Sequence, residues 1–292
     1  MKHTKKKINM SSVGRWLFVL ILVVIMGAPF LMTVSMSLQT MPEIYSADPV
    51  IIPAKLMFSN YADAMRNGNW LQYMYNTMLV TVITVVISLV INSMSGFVFA
   101  RIPFRGRNVL FVLILLGMMI PPQITLIPVF SIVRRIPFLG GNNWMGEGGA
   151  GLMNTYAGLI LPYIAGSFGV FLCRQFYMGF PKELDDAALI DGCGRFRQYI
   201  RIYLPLSGPV LASLGVLKFT GTWNEYTWPL VMTQGDKMKT VQLALTAYRT
   251  EGEVFWNQLM AATLVACVPI YVVFFFAQKY FVSGLLAGSV KG

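Results

Sequence analysis

Charged side chains are scarce in this chain. Only 12% of its 292 residues are Asp, Glu, Lys or Arg, whereas 56% are hydrophobic. A soluble domain carries about twice that share of charge, because it needs a polar surface to stay dispersed. The composition therefore excludes an ordinary soluble domain and predicts a protein embedded in a lipid bilayer.

The residue types that carry most enzyme and metal chemistry are also few. The chain has one histidine, His3, and three cysteines, none of them in a C-x-x-C pair. A histidine-based metal site and a disulfide framework are thereby excluded. No phosphate-binding G-x-x-x-x-G-K-[ST] loop and no nucleophile–base set occurs in the sequence. We expect no catalytic residue, no bound metal and no cofactor.

Six apolar runs are each long enough to cross the hydrocarbon core of a membrane. They lie at about 16–38, 77–100, 109–133, 156–177, 204–232 and 259–282. Prolines interrupt several of them, which a membrane helix tolerates where its neighbours satisfy the freed carbonyls. The first run ends without a clean small-residue cleavage site, so a retained anchor is favoured over a signal peptide. The fold class predicted is all-α, a polytopic membrane protein with six transmembrane helices.

These runs divide the chain into five segments. They are a basic tail over 1–15, the first span over 16–38, a loop over 39–75, a transmembrane core over 76–283 and a C-terminal tail over 284–292.

The positive charges predict the orientation. Fifteen Lys and Arg residues fall in the two tails and the alternate loops on their side, and seven fall in the loops of the other side. The positive-inside rule therefore places both termini in the cytoplasm. The cations cluster at the ends of apolar runs, as expected for contact with anionic lipid headgroups, so nucleic acid is not an expected partner.

Three loops fall on the predicted outer side, over 41–75, 140–151 and 234–257. The first and third are rich in aromatic residues, and the second is rich in glycine. They either form a docking surface for a partner or serve as ordinary solvated connectors, and the sequence leaves both interpretations open.

Charges concentrate in one cytoplasmic stretch, residues 181–203. Pro181 and three acids begin a predicted helix that Gly192 ends, and a second short helix is predicted over 195–203. The small Ala187-Ala188 pair with its charged rim predicts insertion into a groove on a soluble partner. A loop lying on the membrane surface is disfavoured, because anionic headgroups repel its carboxylates.

The same stretch resembles a known motif. Asp186-Ala-Ala-x-x-Asp191-Gly192, followed by Ile202-x-Leu204-Pro205, is similar to the Glu-Ala-Ala loop of bacterial ABC importer permeases. Two further segments, Trp223-Asn-Glu-Tyr-Thr-Trp-Pro229 and the ending over 284–292, resemble the smaller permease subunit of the maltose-type, carbohydrate-uptake branch. The resemblance covers nearly the whole chain. It identifies a binding-protein-dependent transport inner membrane component.

The resemblance implies that the loop is a coupling helix seated in a cleft of a cytoplasmic ATPase. Asp186 occupies the position where the family usually has Glu. The negative charge is therefore kept, on a side chain that is shorter by one methylene group. The residues thereby assigned to ATPase coupling are Leu184, Asp185, Asp186, Ala187, Ala188, Asp191 and Gly192.

Two ionisable residues, Lys218 and Glu225, lie inside the fifth run. A charge at that depth is expensive, so each is expected to face a cavity or a partner group. Their spacing of seven residues puts both on one face of a continuous helix. The candidate substrate pathway comprises Lys218, Thr222, Trp223, Asn224, Glu225 and Trp228. The aromatic residues suit stacking on sugar rings, and they equally suit an outer-leaflet aromatic belt.

The function predicted is the permease subunit of an ATP-driven importer for a sugar, working by alternating access. The partners implied are a second homologous permease, two cytoplasmic ATPase subunits, an extracytoplasmic solute-binding protein and the bilayer of a bacterial cell membrane. An importer for another polar solute, such as glycerol phosphate, is the alternative. A channel or a membrane-embedded enzyme is a more distant one.

Overall fold

The structure is a computed structural model that describes residues 10–48, 50–250 and 252–289, with side chains over 14–48, 50–250 and 252–278. Most of the predicted basic tail, residues 1–9, and the last residues, 290–292, lie outside this range. The described part of the chain is mostly helical and contains no β-strand. Its residues separate into two units, one within 10–68 and 245–267 and the other within 69–244 and 268–289.

The α-helices in chain order are α1 (Met10–Ser37), α2 (Met41–Ile44), α3 (Ser59–Arg66), α4 (Trp70–Arg101), α5 (Arg107–Met119), α6 (Pro122–Arg134), α7 (Tyr156–Ile160), α8 (Ser167–Met178), α9 (Glu183–Ile190), α10 (Arg195–Gln198), α11 (Leu204–Leu206), α12 (Gly208–Trp223), α13 (Thr227–Met232), α14 (Val241–Ala244) and α15 (Trp256–Ser289). Short 3₁₀ segments, Leu161–Tyr163 and Leu245–Tyr248, follow α7 and α14, and a π-helix, Tyr199–Tyr203, joins α10 to α11.

Three of these helices, α1, α4 and α15, are long and apolar enough to cross a membrane without a break. The third and fourth predicted runs are instead pairs of helices, and the fifth is broken twice, at Ser207 and after Trp223. The α5–α6 pair bends by 106°, the pair that meets between Tyr163 and Ser167 by 45°, and the pair that meets at Ser207 by 78°. The described chain therefore has three to six candidate spans, and six if each bent pair counts as one. Prolines at positions 121, 122 and 209 stand at or beside two of the bends, since proline removes a helical hydrogen bond.

The helices also extend past two predicted segment boundaries. Helix α4 begins at Trp70, six residues before the predicted start of the core, with the Asn69 side chain accepting a hydrogen bond from the Gln72 backbone N–H. Helix α15 continues past position 283 as far as Ser289.

Helix α4 is the centre of the larger unit and packs against α8 and α12. A row of small polar side chains runs along its buried face, comprising Thr77, Thr81, Thr84, Ser88 and Asn92. Asn92 donates to the Ser88 carbonyl at 2.7 Å, and its Oδ1 accepts from the Gly166 N–H at 3.3 Å. Small and polar residues are typical of close helix contacts inside a bilayer, so α4 is built to pack on protein along this face.

Helix α4 approaches α8 very closely at Gly96. A methyl group on Gly96 would lie 2.5 Å from the Cys173 Cβ and 2.8 Å from the Arg174 backbone nitrogen. Next to this crossing lies a core of aromatic residues in which Phe97, Tyr177 and Tyr203 pack at ring distances between 4.9 and 6.2 Å. Only glycine fits at position 96 while this core remains closed.

In the smaller unit, hydrogen bonds connect residues of two predicted outer loops, 41–75 and 234–257. The Asn60 amide donates to the carbonyls of Ser37 and Gln39, and its Oδ1 accepts from Asn257 at 3.0 Å. The Tyr248 hydroxyl donates to the Ala64 carbonyl at 2.7 Å. These buried bonds give the loop after α1 and the segment before α15 a defined structure.

The glycine-rich loop after α6 is ordered as well. The buried Asn142 side chain donates to the carbonyls of Arg134 and Ile136 and accepts from the Gly149 N–H. Gly146 adopts a φ of +77° in a space where a Cβ would lie 2.0 Å from the Arg135 carbonyl oxygen. The glycines here serve a tight turn.

Candidate functional site

The charged stretch forms a helix for local reasons. Three acids occupy the first turn of α9, where carboxylates favour the positive end of the helix dipole. Its last turn closes on Gly192, which adopts a φ of +68°, and the Cys193 N–H donates to the Ala188 carbonyl at 2.8 Å. The second helical segment begins at Arg195 and runs through the π-helix to Tyr203. The two predicted short helices and the glycine bend between them are therefore present in this conformation.

The seven residues predicted for ATPase coupling divide into two groups by exposure. Asp186, Ala187, Asp191 and Gly192 are exposed, whereas Leu184 and Asp185 are partly buried. Ala188 is only 4% exposed and packs inside the chain. The predicted insertion of the Ala187-Ala188 pair into a groove is wrong in this detail, since only Ala187 points to the outside. Neighbouring Ile190 is 87% exposed and extends the outer face of α9.

Asp185 forms an ion pair with an arginine that the sequence analysis used only in the count of loop cations. The Arg101 guanidinium, in the last turn of α4, forms an ion pair with Asp185 at 3.1 Å, with side-chain exposures of 6% and 15%. The other Asp185 oxygen accepts a hydrogen bond from the Tyr203 hydroxyl at 2.6 Å. We call Arg101, Asp185 and Tyr203 the Arg101 cluster. Sequence reasoning missed it because no motif links three residues spread over a hundred positions.

The fifth predicted span ends earlier than expected. Helix α12 stops at Trp223, and Glu225 lies in the break before α13 begins at Thr227. Lys218 and Glu225 therefore do not lie on one continuous helix, and the prediction that they share one of its faces is wrong. The structure nevertheless brings both residues to Tyr163, at the break in the fourth span.

Lys218 and Glu225 each meet the end of a broken helix. The Lys218 ammonium donates to the Tyr163 carbonyl at 3.1 Å, at the C-terminal end of the short 3₁₀ segment. The Glu225 carboxylate accepts from the Trp228 backbone N–H at 3.0 Å in the first turn of α13, and it is hydrogen-bonded to the Tyr163 hydroxyl. A cation at a C-terminal end and an anion at an N-terminal end both match the helix dipole.

The aromatic members of the candidate pathway are buried. Trp223 stacks on Phe219 with ring centroids 5.5 Å apart, and the Trp228 indole donates to the Gly158 carbonyl at 3.0 Å. Their ring faces are covered in this conformation and cannot stack on a sugar. Asn224 is exposed and accepts a hydrogen bond from Gln242 at 3.0 Å.

A small cavity adjoins Glu225, Thr222 and Trp228. Its volume is about 10 Å³, which is room for a single water molecule. The hydroxyls of Thr81 and Thr240 border it and have no hydrogen-bond partner among the described residues. In this conformation the candidate pathway is closed to a sugar.

Comparison with known proteins decides the family. The family described as binding-protein-dependent transport system inner membrane component matches residues 92–286. The chain belongs to this family. The resemblance to permease subunits of ABC importers is thereby confirmed, and the fold is that of a helical inner membrane component.

Three curated relatives are similar over most of their lengths. The probable ABC transporter permease protein YurM of Bacillus subtilis is 31% identical over 99% of this chain and 91% of the relative. The arabinooligosaccharides transport system permease protein AraQ of Halalkalibacterium halodurans is 35% identical over 82% and 81%. The sn-glycerol-3-phosphate transport system permease protein UgpE of Rhizobium meliloti is 30% identical over 92% and 94%.

A solved structure shares the fold. It is the crystal structure of a bacterial ABC transporter involved in the import of the acidic polysaccharide alginate. The matched chain has a TM-score of 0.78 and 20% identity, and the match covers 96% of this chain and 100% of that one.

Proposed function

We propose that this chain is a permease subunit of an ATP-driven, binding-protein-dependent importer that carries an oligosaccharide across the bacterial cytoplasmic membrane. The observation that carries the proposal is the 35% identity to a permease named for arabinooligosaccharides. The family description itself names transport that depends on a binding protein. Glycerol phosphate is the second candidate solute, on the strength of the relative that is named for it.

The proposed complex contains a second homologous permease, two cytoplasmic ATPase subunits and an extracytoplasmic solute-binding protein. Each bent helix pair counts as one span, which gives six. Both termini and the 181–203 loop lie in the cytoplasm, as the distribution of Lys and Arg favours. The tails are 1–15 and 284–292, the first span 16–38, the outer loop 39–75 and the core 76–283. ATP hydrolysis takes place on the separate ATPase, and this chain is not catalytic.

The uptake proposal is tested with the complete importer in proteoliposomes. We expect ATP-dependent uptake of labelled arabinooligosaccharides in the presence of the binding protein, and no uptake when ATP is replaced by ADP. Glycerol 3-phosphate serves as the competing solute. Uptake of glycerol 3-phosphate alone would favour the second candidate, and solute flux that needs no ATP would contradict an importer.

The coupling proposal places the ATPase against the outer face of α9. Exposed Asp186, Ala187, Ile190 and Asp191, with Gly192 at the end of the helix, support this choice of face. Leu184, Asp185 and Ala188 support the helix from its inner side. A short helix with small and apolar residues inside a charged rim suits docking into a groove.

Replacing the exposed alanine tests the coupling face. Ala187→Arg should leave the permease in the membrane and weaken its association with the ATPase by about 1–3 kcal/mol, because a large side chain overpacks a close contact. That loss is roughly 5- to 150-fold in affinity. Co-purification of the ATPase measures it. Ala150→Arg, at an exposed alanine on the proposed outer side, is the matched control. Normal ATPase retention by Ala187→Arg would exclude this docking face.

The proposed solute pathway passes the break between α12 and α13. It is lined by Lys218, Thr222, Trp223, Asn224, Glu225 and Trp228, and the small cavity beside Glu225 is its closed state. Broken helices at the middle of a membrane are typical of transporter sites, because their ends supply polar groups. Rocking of the helices during alternating access widens this point.

A further inference from the structure

One arginine joins four separate segments of the larger unit. The Arg101 side chain, from the end of α4, donates through Nε to the Tyr177 carbonyl at 3.1 Å and through another nitrogen to the Phe180 carbonyl. Its third nitrogen bonds Asp185 on α9 at 3.1 Å. The guanidinium carbon lies 5.3 Å from the centre of the Tyr203 ring. The planar fork of arginine allows all of these contacts at once, which a lysine cannot make.

Both oxygens of the Asp185 carboxylate are used inside the chain. Oδ2 pairs with Arg101, and Oδ1 accepts from the Tyr203 hydroxyl at 2.6 Å. The ion pair is nearly shielded from solvent, so removing one partner leaves an uncompensated buried charge. Asp185 therefore faces away from the proposed ATPase surface, although it lies on the same short helix as the exposed Asp186.

Tyr203 connects Asp185 on α9 to the start of the fifth span. It is the last residue of the π-helix, four residues before Ser207, where the chain bends by 78° into α12. The Ser207 hydroxyl donates to the Tyr203 carbonyl and is hydrogen-bonded to the Tyr177 hydroxyl at 2.8 Å. π-Helices are rare and tend to occur at functional positions. The hydrogen bonds thus run without a gap from α9 to the start of α12.

We infer that the Arg101 cluster is the positioning element that makes α9, the end of α4 and the start of the fifth span move as one body. This inference rests on the proposed coupling function. A loop attached only through its two chain ends would absorb a pull from the ATPase by bending. The buried ion pair and the 2.6 Å bond remove that freedom, so the displacement of α9 reaches the membrane helices directly.

The experiment measures whether α9 moves relative to α4 during the ATPase cycle. Spin labels are placed at positions 105 and 182, both exposed, after replacement of Cys193 and Cys267 by serine. The permease is assembled with its partner subunits in nanodiscs, and the distance between labels is measured without nucleotide and with vanadate-trapped ATP. In the unmodified cluster we expect one narrow distribution with the same mean in both states.

Two conservative variants break the cluster. Asp185→Asn and Tyr203→Phe keep the side-chain shapes, and each should produce a shift of the mean distance on vanadate trapping. Tyr199→Phe is the matched control, because the 2.6 Å hydrogen bond that it removes from the same π-helix goes to Ser93 on α4 instead of to α9. The control should give the same mean distance in both states.

The outcomes separate this inference from the proposed function. Variant distances that do not change on trapping, or that broaden equally in both states, would show a role in folding alone and overturn the inference. A shift in the unmodified cluster would overturn it as well. If the unmodified permease retains no ATPase, as the subunit stoichiometry of the same sample shows, the proposed function fails and the role of the cluster with it.

Discussion

Lys218 and Glu225 are charges placed at ends of broken helices. Lys218 meets the carbonyl of Tyr163, and Glu225 meets the first turn of α13 and the Tyr163 hydroxyl. An ionisable group inside a membrane span is expensive unless a partner is close. The two residues therefore stabilise the breaks that the proposed solute pathway needs, and Tyr163 connects them.

Substitution of Glu225 separates a structural role from a role in the pathway. Glu225→Gln keeps an oxygen that can accept from the Trp228 N–H, so we expect normal assembly with altered oligosaccharide uptake, because the charge beside the pathway is lost. Glu225→Leu leaves the N–H and the Tyr163 hydroxyl without this acceptor. We expect it also to lower the free energy of unfolding by about 1–3 kcal/mol. Uptake assays and thermal unfolding measure the two effects. Normal uptake by Glu225→Gln would make the residue a helix cap only.

At the level of the helices, the packing of α4 on α8 leaves no room for an added methyl group at Gly96. The contact depends on Gly96, where the two backbones approach within the space of a missing methyl group. Membrane helices associate through such small residues, since lipid offers no hydrophobic driving force for helix association. The larger unit is organised around α4, so a displacement at this crossing affects its aromatic core.

Adding one methyl group tests that contact. Gly96→Ala should destabilise the protein by about 1–3 kcal/mol, because the neighbours at Cys173 and Arg174 are a Cβ and backbone atoms that cannot turn aside. Gly221→Ala is the matched control, since it adds the same group to a helix with no atom within 4 Å. Thermal unfolding of the detergent-purified protein measures both. Equal unfolding temperatures for the two variants would contradict the close packing.

At the scale of the whole molecule, three long helices and three bent pairs provide the candidate spans. With each bent pair counted as one span, the number of crossings is even and both termini fall on the same side. The seven cations on the opposite side, Arg134 and Arg135 among them, do not outweigh the fifteen assigned to the cytoplasm.

Labelling from either side of the membrane tests this topology. A cysteine introduced by Arg197→Cys should react with an impermeant reagent only from the cytoplasm, and one introduced by Thr250→Cys only from outside. A background with Cys193 and Cys267 replaced by serine removes competing thiols, and the buried Cys173 stays as the internal control. Reaction of both positions from one side would mean that a bent pair does not cross the membrane.

The class of this protein follows from the sequence alone, because hydrophobic length, charge distribution and the 186–192 motif are local properties that do not depend on tertiary contacts. Helix α9 is predictable in the same way, because its acids and closing glycine act within one or two turns. The break after Trp223 is not predictable in this way, because Leu230, Val231 and Met232 resume the apolar run beyond it.

The contacts between side chains that are distant in the sequence are visible in the tertiary structure alone. It turned Ala188 inward, joined Lys218 and Glu225 through Tyr163, and paired Arg101 with Asp185 across 84 positions. Each of these contacts depends on how α4, α8 and the broken fifth span pack together. That packing depends on close contacts such as the one between Gly96 and Cys173. The pattern of apolar residues along a single helix does not predict such contacts between helices.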